Sequence, residues 1–357
     1  MKISDIPGEI LSVFREGCVI PAMPLALHPD GMFDETSQKA VLRYYIDSGV
    51  GGVAVGVHST QFSIRDTPGF YGKILSSASG IIDEYSRETG PPLMKIAGIC
   101  GKRDQAVSEA DLAVSRGYHA GLLSLSDLAG QSESALLDHV RVLSAVIPIV
   151  GFYLQPAVGG IRLSYDFWKE FAAVENVLAV KIAPFNRYAT LDVLRGVADS
   201  GRASEVSLYT GNDDNIVLDL LTPWRFTGKD GRTRTLRIVG GLLGHWGVWT
   251  SAAVSLFYRL KQIALSGESV DPGILTLAQE VTDMNGALFD VAHDFAGSIP
   301  GIHEVLHRQG LMDSPRCLDP EEVLSPGQAE ELDRVCRMYP HLTDDDFIRE
   351  HLDSWRK

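Results

Sequence analysis

The chain has 357 residues, 45% of them hydrophobic and 22% charged, with 35 glycines and 17 prolines, an ordinary globular composition. Its 46 acidic and 32 basic side chains leave a formal charge of −14 with no Lys/Arg run, which argues against a nucleic-acid partner. No stretch of about 18 apolar residues offers a membrane span, and a start with early acids and no apolar core does not read as a secretory signal. The length suits two domains, or one barrel of roughly 250 residues with about a hundred left over.

In chain order, residues 1–16 read as an N-terminal segment, and an alternation then begins. Short apolar runs fall at 18–23, 52–57, 93–99, 120–125, 147–153, 177–182, 206–209 and 236–239. Amphipathic stretches follow them near 35–48, 68–88, 103–116, 131–145, 164–174, 187–199, 213–222 and 247–266. Runs apolar on both faces suit a parallel sheet covered by helices, and eight such units close most simply as an α/β fold of the (β/α)8, or TIM, barrel type. An open doubly wound sheet would want a G-x-G-x-x-G turn after its first strand, where this chain reads PAMPLALHPDG.

Helix starts are signalled by Asp34, Thr36, Ser37, Ser132, Ser164 and Thr190, whose side chains accept from first-turn amides. Gly49, Gly117 and Gly201 stand just past helix ends, where a left-handed residue is needed. The basic segment 223–235 reads as a long solvated loop on the side of the barrel away from the chemistry, with an oligomer contact as its other use. After residue 266 the pattern turns helical, over 271–297, 300–310, 319–338 and 343–355, punctuated by prolines. The expected division is therefore 1–16, a barrel over 17–266, and a helical segment over 267–357. Cys18, Cys100, Cys317 and Cys336 have no paired short spacing, so they read as buried structural thiols of a cytoplasmic protein.

Barrel enzymes place reactive groups where strands end on the carboxyl side. Tyr153 closes the fifth run and Lys181 the sixth. Alternation puts Lys181 on the face of Val177 and Ala179. Desolvation there favours the neutral amine, which attacks carbonyls and forms Schiff bases. The Tyr153 hydroxyl, at a similar height, suits proton transfer beside such an imine. The plainer alternatives are a lysine snorkelling at the strand end or pairing with an acid, and a core aromatic with one satisfied hydroxyl.

Together these residues resemble the dihydrodipicolinate synthase and N-acetylneuraminate lyase family of class I aldolases. The likeness rests on Tyr153-Leu-Gln-Pro156-Ala-Val-Gly-Gly160, then Val180-Lys181 at a spacing of 28, on Pro21-Ala-Met-Pro24 with Asp30-Gly31, and on Gly211-Asn-Asp213, and it extends to about residue 337. The resemblance implies that Lys181 forms an imine with a 2-oxo acid such as pyruvate, that Tyr153 shuttles the proton, and that an aldehyde-type substrate is made or consumed. It also implies a homotetramer or homodimer without metal or organic cofactor. The family's Gly-Thr-Thr-Gly-Glu turn reads Val57-His58-Ser59-Thr60-Gln61 here, so His58 and Ser59 are the expected carboxylate cradle. Gly211 and Asp213 are the other expected substrate contacts, with Asp213 as a helix cap the alternative.

The departures narrow the activity. Ser126-Asp127-Leu128 replaces the family's Pro-Tyr-Tyr, which removes a tyrosine relay, and Ala157-Val158 stand where the synthases place a carboxylate-gripping arginine. True dihydrodipicolinate synthase activity is therefore not expected. Gly244-His245-Trp246 is expected to narrow or line the pocket. Three alternatives stand beside the aldolase reading: a dehydratase or decarboxylase using the same imine, a non-catalytic ligand-binding barrel, and a metal-dependent hydrolase. The last rests on His303-Glu304-Val-Leu-His307, an H-e-x-x-H pattern whose histidines share a helix face.

Overall fold

The computed structural model describes residues 1–228, 231–267 and 269–357. Lys229 and Asp230 of the basic segment, and Glu268 beside the expected barrel boundary, lie outside the described residues.

The first seven barrel strands are β1 Val19–Pro21, β2 Gly52–Val55, β3 Met94–Ile99, β4 Ala120–Leu123, β5 Ile149–Leu154, β6 Val177–Ala183 and β7 Ser207–Thr210. A hairpin of β8 Trp224–Thr227 and β9 Thr233–Leu236 precedes the last barrel strand, β10 Gly240–Leu243. The sheet order β1-β10-β7-β6-β5-β4-β3-β2 is parallel throughout, and a bridge between Ala22 and Ala54 joins its two edges into a barrel. The barrel helices are α2 Glu35–Asp47, α3 Phe70–Thr89, α4 Arg103–Ser115, α5 Glu133–Ser144, α6 Tyr165–Ala173, α7 Arg187–Asp199, α8 Ile216–Leu221 and α9 Thr250–Ser266, preceded by α1 Gly8–Glu16.

Strand alternation divides the apolar side chains in two. One set, including Ile20, Ala54, Met94, Ile96, Leu122, Val150, Phe152 and Tyr209, fills the barrel. The other, including Val53, Ala97, Leu123, Ile149, Tyr153 and Ile182, packs against the helices. The N-terminal segment closes the barrel's base, because Ile6, Ile10 and Phe14 join the interior cluster. Phe14 stacks on Tyr209 at 4.7 Å, and the Tyr209 hydroxyl donates to the Phe14 carbonyl at 2.5 Å.

Asp34, Ser132 and Ser164 cap α2, α5 and α6 by accepting from Ser37, Ala135 and Phe167 amides. Helix α7 is capped by Asn186 instead of Thr190; the buried Thr190 hydroxyl accepts from Arg187 and Asn212. Gly49, Gly117 and Gly201 all have left-handed backbone, at φ 85°, 75° and 85°.

Two expectations are corrected. The basic segment, expected as a loop, carries two antiparallel strands at 224–227 and 233–236, pairing Trp224 with Leu236 and Thr227 with Thr233. The eighth barrel strand lies at 240–243 and not at 236–239. It begins with two glycines because neighbours crowd it: a Cβ on Gly240 would sit 2.4 Å from the Cys18 carbonyl oxygen, and one on Gly241 2.5 Å from the Trp246 ring. A strand that must be bare on both faces escapes a hydrophobic-run search.

The C-terminal helices are α10 Gly273–Leu288, α11 Ser298–Arg308, α12 Gln328–Met338 and α13 Asp345–Trp355. They are tied to the barrel through α2: the Tyr44 hydroxyl donates to Asp344 at 2.6 Å, and the buried Trp355 indole to Asp47 at 2.7 Å. The four cysteines are unpaired thiols, three of them buried. Among the described residues no helix is long and apolar enough to cross a membrane.

Candidate active site

A cavity of about 70 Å³ opens at the carboxyl ends of the strands. The barrel contributes Ala22, His58, Ser59, Phe152, Leu154, Lys181, Gly211, Asp213 and Gly244. The chain from α10 to α11 crosses its mouth and adds Phe289, Phe295, Ser298, Ile299 and Ile302.

Lys181 sits on β6 in register with Phe152 of β5 and Tyr209 of β7. Its amine lies 4.3 Å from the centre of the Phe152 ring and makes no hydrogen bond or ion pair among the described residues. Burial lowers its pKa to about 8, against a partial upward pull from Asp213. Gly211 makes room for it, since a Cβ there would lie 2.6 Å from Lys181 Cε and 2.8 Å from Ala183 Cβ.

Asp213 faces the same space from the turn after β7. Burial raises its carboxyl well above the usual range, and Lys181 and the His245 amide pull it back. That amide donates to Asp213 Oδ1 at 3.4 Å. The turn itself is pinned from beneath by the fully buried Asp219, which accepts from the Thr210 hydroxyl at 2.7 Å, from the Asn212 side-chain Nδ2 at 3.0 Å and from Arg187. Asn212 in turn accepts the Phe185 amide at 3.1 Å, holding Phe185 in a left-handed conformation at φ 51°.

His58 and Ser59 lie on the short turn His58–Thr60 after β2. Burial, with the Lys181 charge adding, lowers His58 to about 4, so its ring is neutral at pH 7. The buried Ser59 hydroxyl has no hydrogen-bond partner among the described residues. The turn is fixed by Thr60, whose hydroxyl donates to the Met23 carbonyl at 2.6 Å and accepts from the Gly56 amide at 2.9 Å.

Thus the structure brings Lys181, His58, Ser59, Gly211 and Asp213 together. It does not bring Tyr153 to them. The Tyr153 ring lies on the helix side against Trp168 at 5.1 Å, and its hydroxyl bonds the backbone of Leu163 at 3.4 Å. Phe152 takes the cavity position. The cause is a register shift at the start of the pair: Ile149 pairs with Val177 but Val150 with Ala179, leaving Leu178 as an extra residue on β6. Leu178 and Ala179 therefore both join the barrel interior, while Val177 turns to the helices, opposite to simple alternation. A spacing of 28 pairs Tyr153 with Ile182, and Lys181 pairs with Phe152.

Two other expectations change. Gly244 lines the cavity, but His245 and Trp246 lie behind it, their rings against Trp249 at 5.6 Å and Phe257 at 6.1 Å. The His303 and His307 rings each bond a backbone carbonyl, those of Arg316 at 3.1 Å and Met312 at 3.0 Å. Glu304 accepts from Arg308 at 2.7 Å. The pattern is thus committed to holding the chain after α11. Among the described residues, the one His and acid group of metal-binding geometry is His28, Asp34 and Asp313, and Asp313 is paired with Arg356.

The aromatic mouth, Phe185, Phe289 and Phe295, had no signal in the sequence. An isolated Phe in a helical segment reads as core, and only the crossing of the chain over the barrel sets it beside Lys181.

The architecture is that of a (β/α)8 barrel whose carboxyl-end cavity is lined by a lysine. In sequence the chain matches no protein-family model and no curated protein. In structure it is similar to N-acetylneuraminate lyase from Fusobacterium nucleatum complexed with pyruvate, with 17% identity and a TM-score of 0.69 over 91% of this chain and 97% of that one. It is similar also to dihydrodipicolinate synthase from Oceanobacillus iheyensis, with 15% identity and a TM-score of 0.70 over 93% and 99%. CdNal from Clostridium difficile, in complex with mannosamine, gives 16% identity and 0.70 over 90% and 99%. At these identities the likeness is one of fold, and the chain has the fold of these enzymes.

Proposed function

We propose that the chain is a divergent member of the dihydrodipicolinate synthase and N-acetylneuraminate lyase family, a lyase that forms a Schiff base between Lys181 and a 2-oxo acid. The observation that carries this reading is an amine enclosed in the barrel mouth that makes no salt bridge among the described residues. A neutral amine attacks the 2-oxo carbon, the carbinolamine loses water, and the iminium draws electrons from a breaking carbon–carbon bond or stabilises the enamine that forms a new one. The Ser59 hydroxyl, beside the neutral His58 ring, is placed to donate to the substrate carboxylate.

Phe152 moves no proton, so the acid/base role falls to Asp213. Its raised carboxyl is the group that can protonate the leaving hydroxyl of the carbinolamine and later take a proton back. The Asp219 network and the His245 amide orient that turn. The lining has no arginine to grip a second carboxylate, which speaks against dihydrodipicolinate synthesis.

Borohydride reduction with pyruvate, followed by peptide mass spectrometry, tests the reading. A reduced adduct on Lys181, absent from Lys181→Ala, is the expected result. Absence of an adduct with a panel of 2-oxo acids would refute it. Assay of released aldehyde against released water or carbon dioxide separates aldol cleavage from dehydration or decarboxylation.

A further inference from the structure

We infer that the second binding region of this site takes an aromatic group, so that the substrate is a 4-aryl-4-hydroxy-2-oxo acid, or the aryl aldehyde and pyruvate that form it. The inference rests on the imine reading for its chemistry, but its geometry is independent of it.

Outward from Lys181 the cavity is walled by Val158, Phe185, Phe289, Phe295, Ile299 and Ile302. Its only ionisable side chains besides Lys181 are Asp213 and His58. A second carboxylate would need a cation there, and a polyhydroxylated chain would need several donors and acceptors. Ser59, Gln155 and Ser298 are the only uncharged polar side chains of its lining.

The backbone supplies the second observation. Phe185 and Phe295 approach edge to face at 5.8 Å from two distant parts of the chain. Both have left-handed backbone, at φ 51° and 69°, a costly conformation for a bulky residue that persists only where surroundings enforce it. The surroundings do so on both sides. Asn212 fixes Phe185, and Asp290 fixes the chain between α10 and α11 by accepting the Gly297 amide at 3.0 Å and the Ser325 hydroxyl at 2.5 Å. The effect is to aim two rings into the mouth, where edge-to-face and stacked contacts select another ring.

In the cleavage direction the C3–C4 bond breaks and its electrons flow into the iminium to give an enamine. The C4 hydroxyl loses its proton to Asp213 and becomes the aldehyde. The enamine carbon is then protonated, and water hydrolyses the imine to release pyruvate and free Lys181.

Two measurements test this. Cleavage of 4-hydroxy-4-phenyl-2-oxobutanoate, read as benzaldehyde release, should exceed in kcat/KM that of 4-hydroxy-2-oxoglutarate and of N-acetylneuraminate by at least tenfold. Phe295→Ala should lower the aryl value about tenfold more than it lowers borohydride trapping of pyruvate, with Phe295→Leu intermediate. Preference for the dicarboxylate or the sugar acid, or equal losses in both assays, would overturn the inference. Calorimetric binding of phenylpyruvate against 2-oxoglutarate to Lys181→Met decides the aromatic slot without the imine: at least tenfold tighter phenylpyruvate supports it, and parity refutes it. Failure of trapping on Lys181 with every acid would instead refute the imine reading.

Discussion

Gly211→Ala tests whether the lysine stands where the site needs it. The new Cβ would lie 2.6 Å from Lys181 Cε, 3.1 Å from Lys181 Cγ and 2.8 Å from Ala183 Cβ. Relaxed carbon contacts are about 3.5–4.0 Å, so the lysine stem must withdraw by about 1 Å. Ala183 belongs to a seven-residue barrel strand and has no freedom to yield. Overpacking of this kind costs about 1–3 kcal/mol. With an unfolding entropy of roughly 2.1 cal/mol/K per residue over 357 residues, that lowers Tm by about 1–4 °C. A reacting amine displaced by about 1 Å loses on the order of 100-fold in rate. The assay is stopped-time borohydride trapping of pyruvate alongside a thermal melt. Gly80→Ala, on exposed helix surface with nothing within 4 Å, is the control and should trap at the parent rate. The Lys181→Ala/Gly211→Ala double variant should regain much of the lost stability, because two of the three clashing atoms belong to Lys181. Parent-rate trapping by Gly211→Ala, or no recovery in the double variant, would show that Lys181 does not occupy this position.

Other expectations follow from the same geometry. Trapping of pyruvate by the parent protein should rise with pH and level off near the lowered Lys181 pKa of about 8, where an unperturbed lysine would still be climbing. In Asp213→Asn the upward pull on Lys181 is gone, so that midpoint should move lower while turnover falls by about 100-fold, the scale of a lost acid/base group; an unmoved midpoint would count against the pairing. Tyr153→Phe should leave trapping unchanged, and it should cost only about 0.5–1.5 kcal/mol for the lost bond to Leu163; a large loss of trapping would put its hydroxyl in the cavity. Burial holds His303 neutral with a pKa near 4 against an ordinary 6.5. Stability from this group is present above pH 6.5 and is lost as pH falls towards 4, by up to about 3 kcal/mol. Urea midpoints from pH 7.5 to 4.5 should show that loss, and His303→Gln should flatten it.

The barrel was legible because each of seven apolar runs is a buried strand and because caps such as Asp34, Ser132 and Ser164 mark where helices begin. What escaped the sequence had specific causes. Strand β10 is glycine-rich where Cys18 and Trp246 leave no room for side chains. The N-terminal plug is too short for its period to stand out. Lys181 was legible because a polar residue closing an apolar run is conspicuous, whereas His58, Ser59 and Asp213 were reached only through the family resemblance of the turns that carry them. The tyrosine was misplaced because a spacing of 28 counts residues and does not register Leu178, the extra residue that separates Tyr153 from the cavity by one strand position.

That one position changes the electrostatics of the site. A tyrosine hydroxyl beside Lys181 would offer a hydrogen-bond acceptor to the charged ammonium and a proton path to the imine. Phe152 offers an apolar ring at 4.3 Å, which favours a cation only through its π face. Burial then works on Lys181 and Asp213 in opposite directions, lowering the amine and raising the acid. The charged pair and the neutral pair are thereby brought close in energy, because each desolvated ion is disfavoured and their attraction offsets only part of the cost. A neutral amine and a protonated carboxyl are the two species that carbinolamine formation and dehydration require. On this account Phe152→Tyr would not speed imine formation. By stabilising the ammonium it should raise the Lys181 midpoint and slow trapping near pH 7; faster trapping at an unchanged midpoint would show that the cavity lacks a proton donor and that Asp213 does not fill the role.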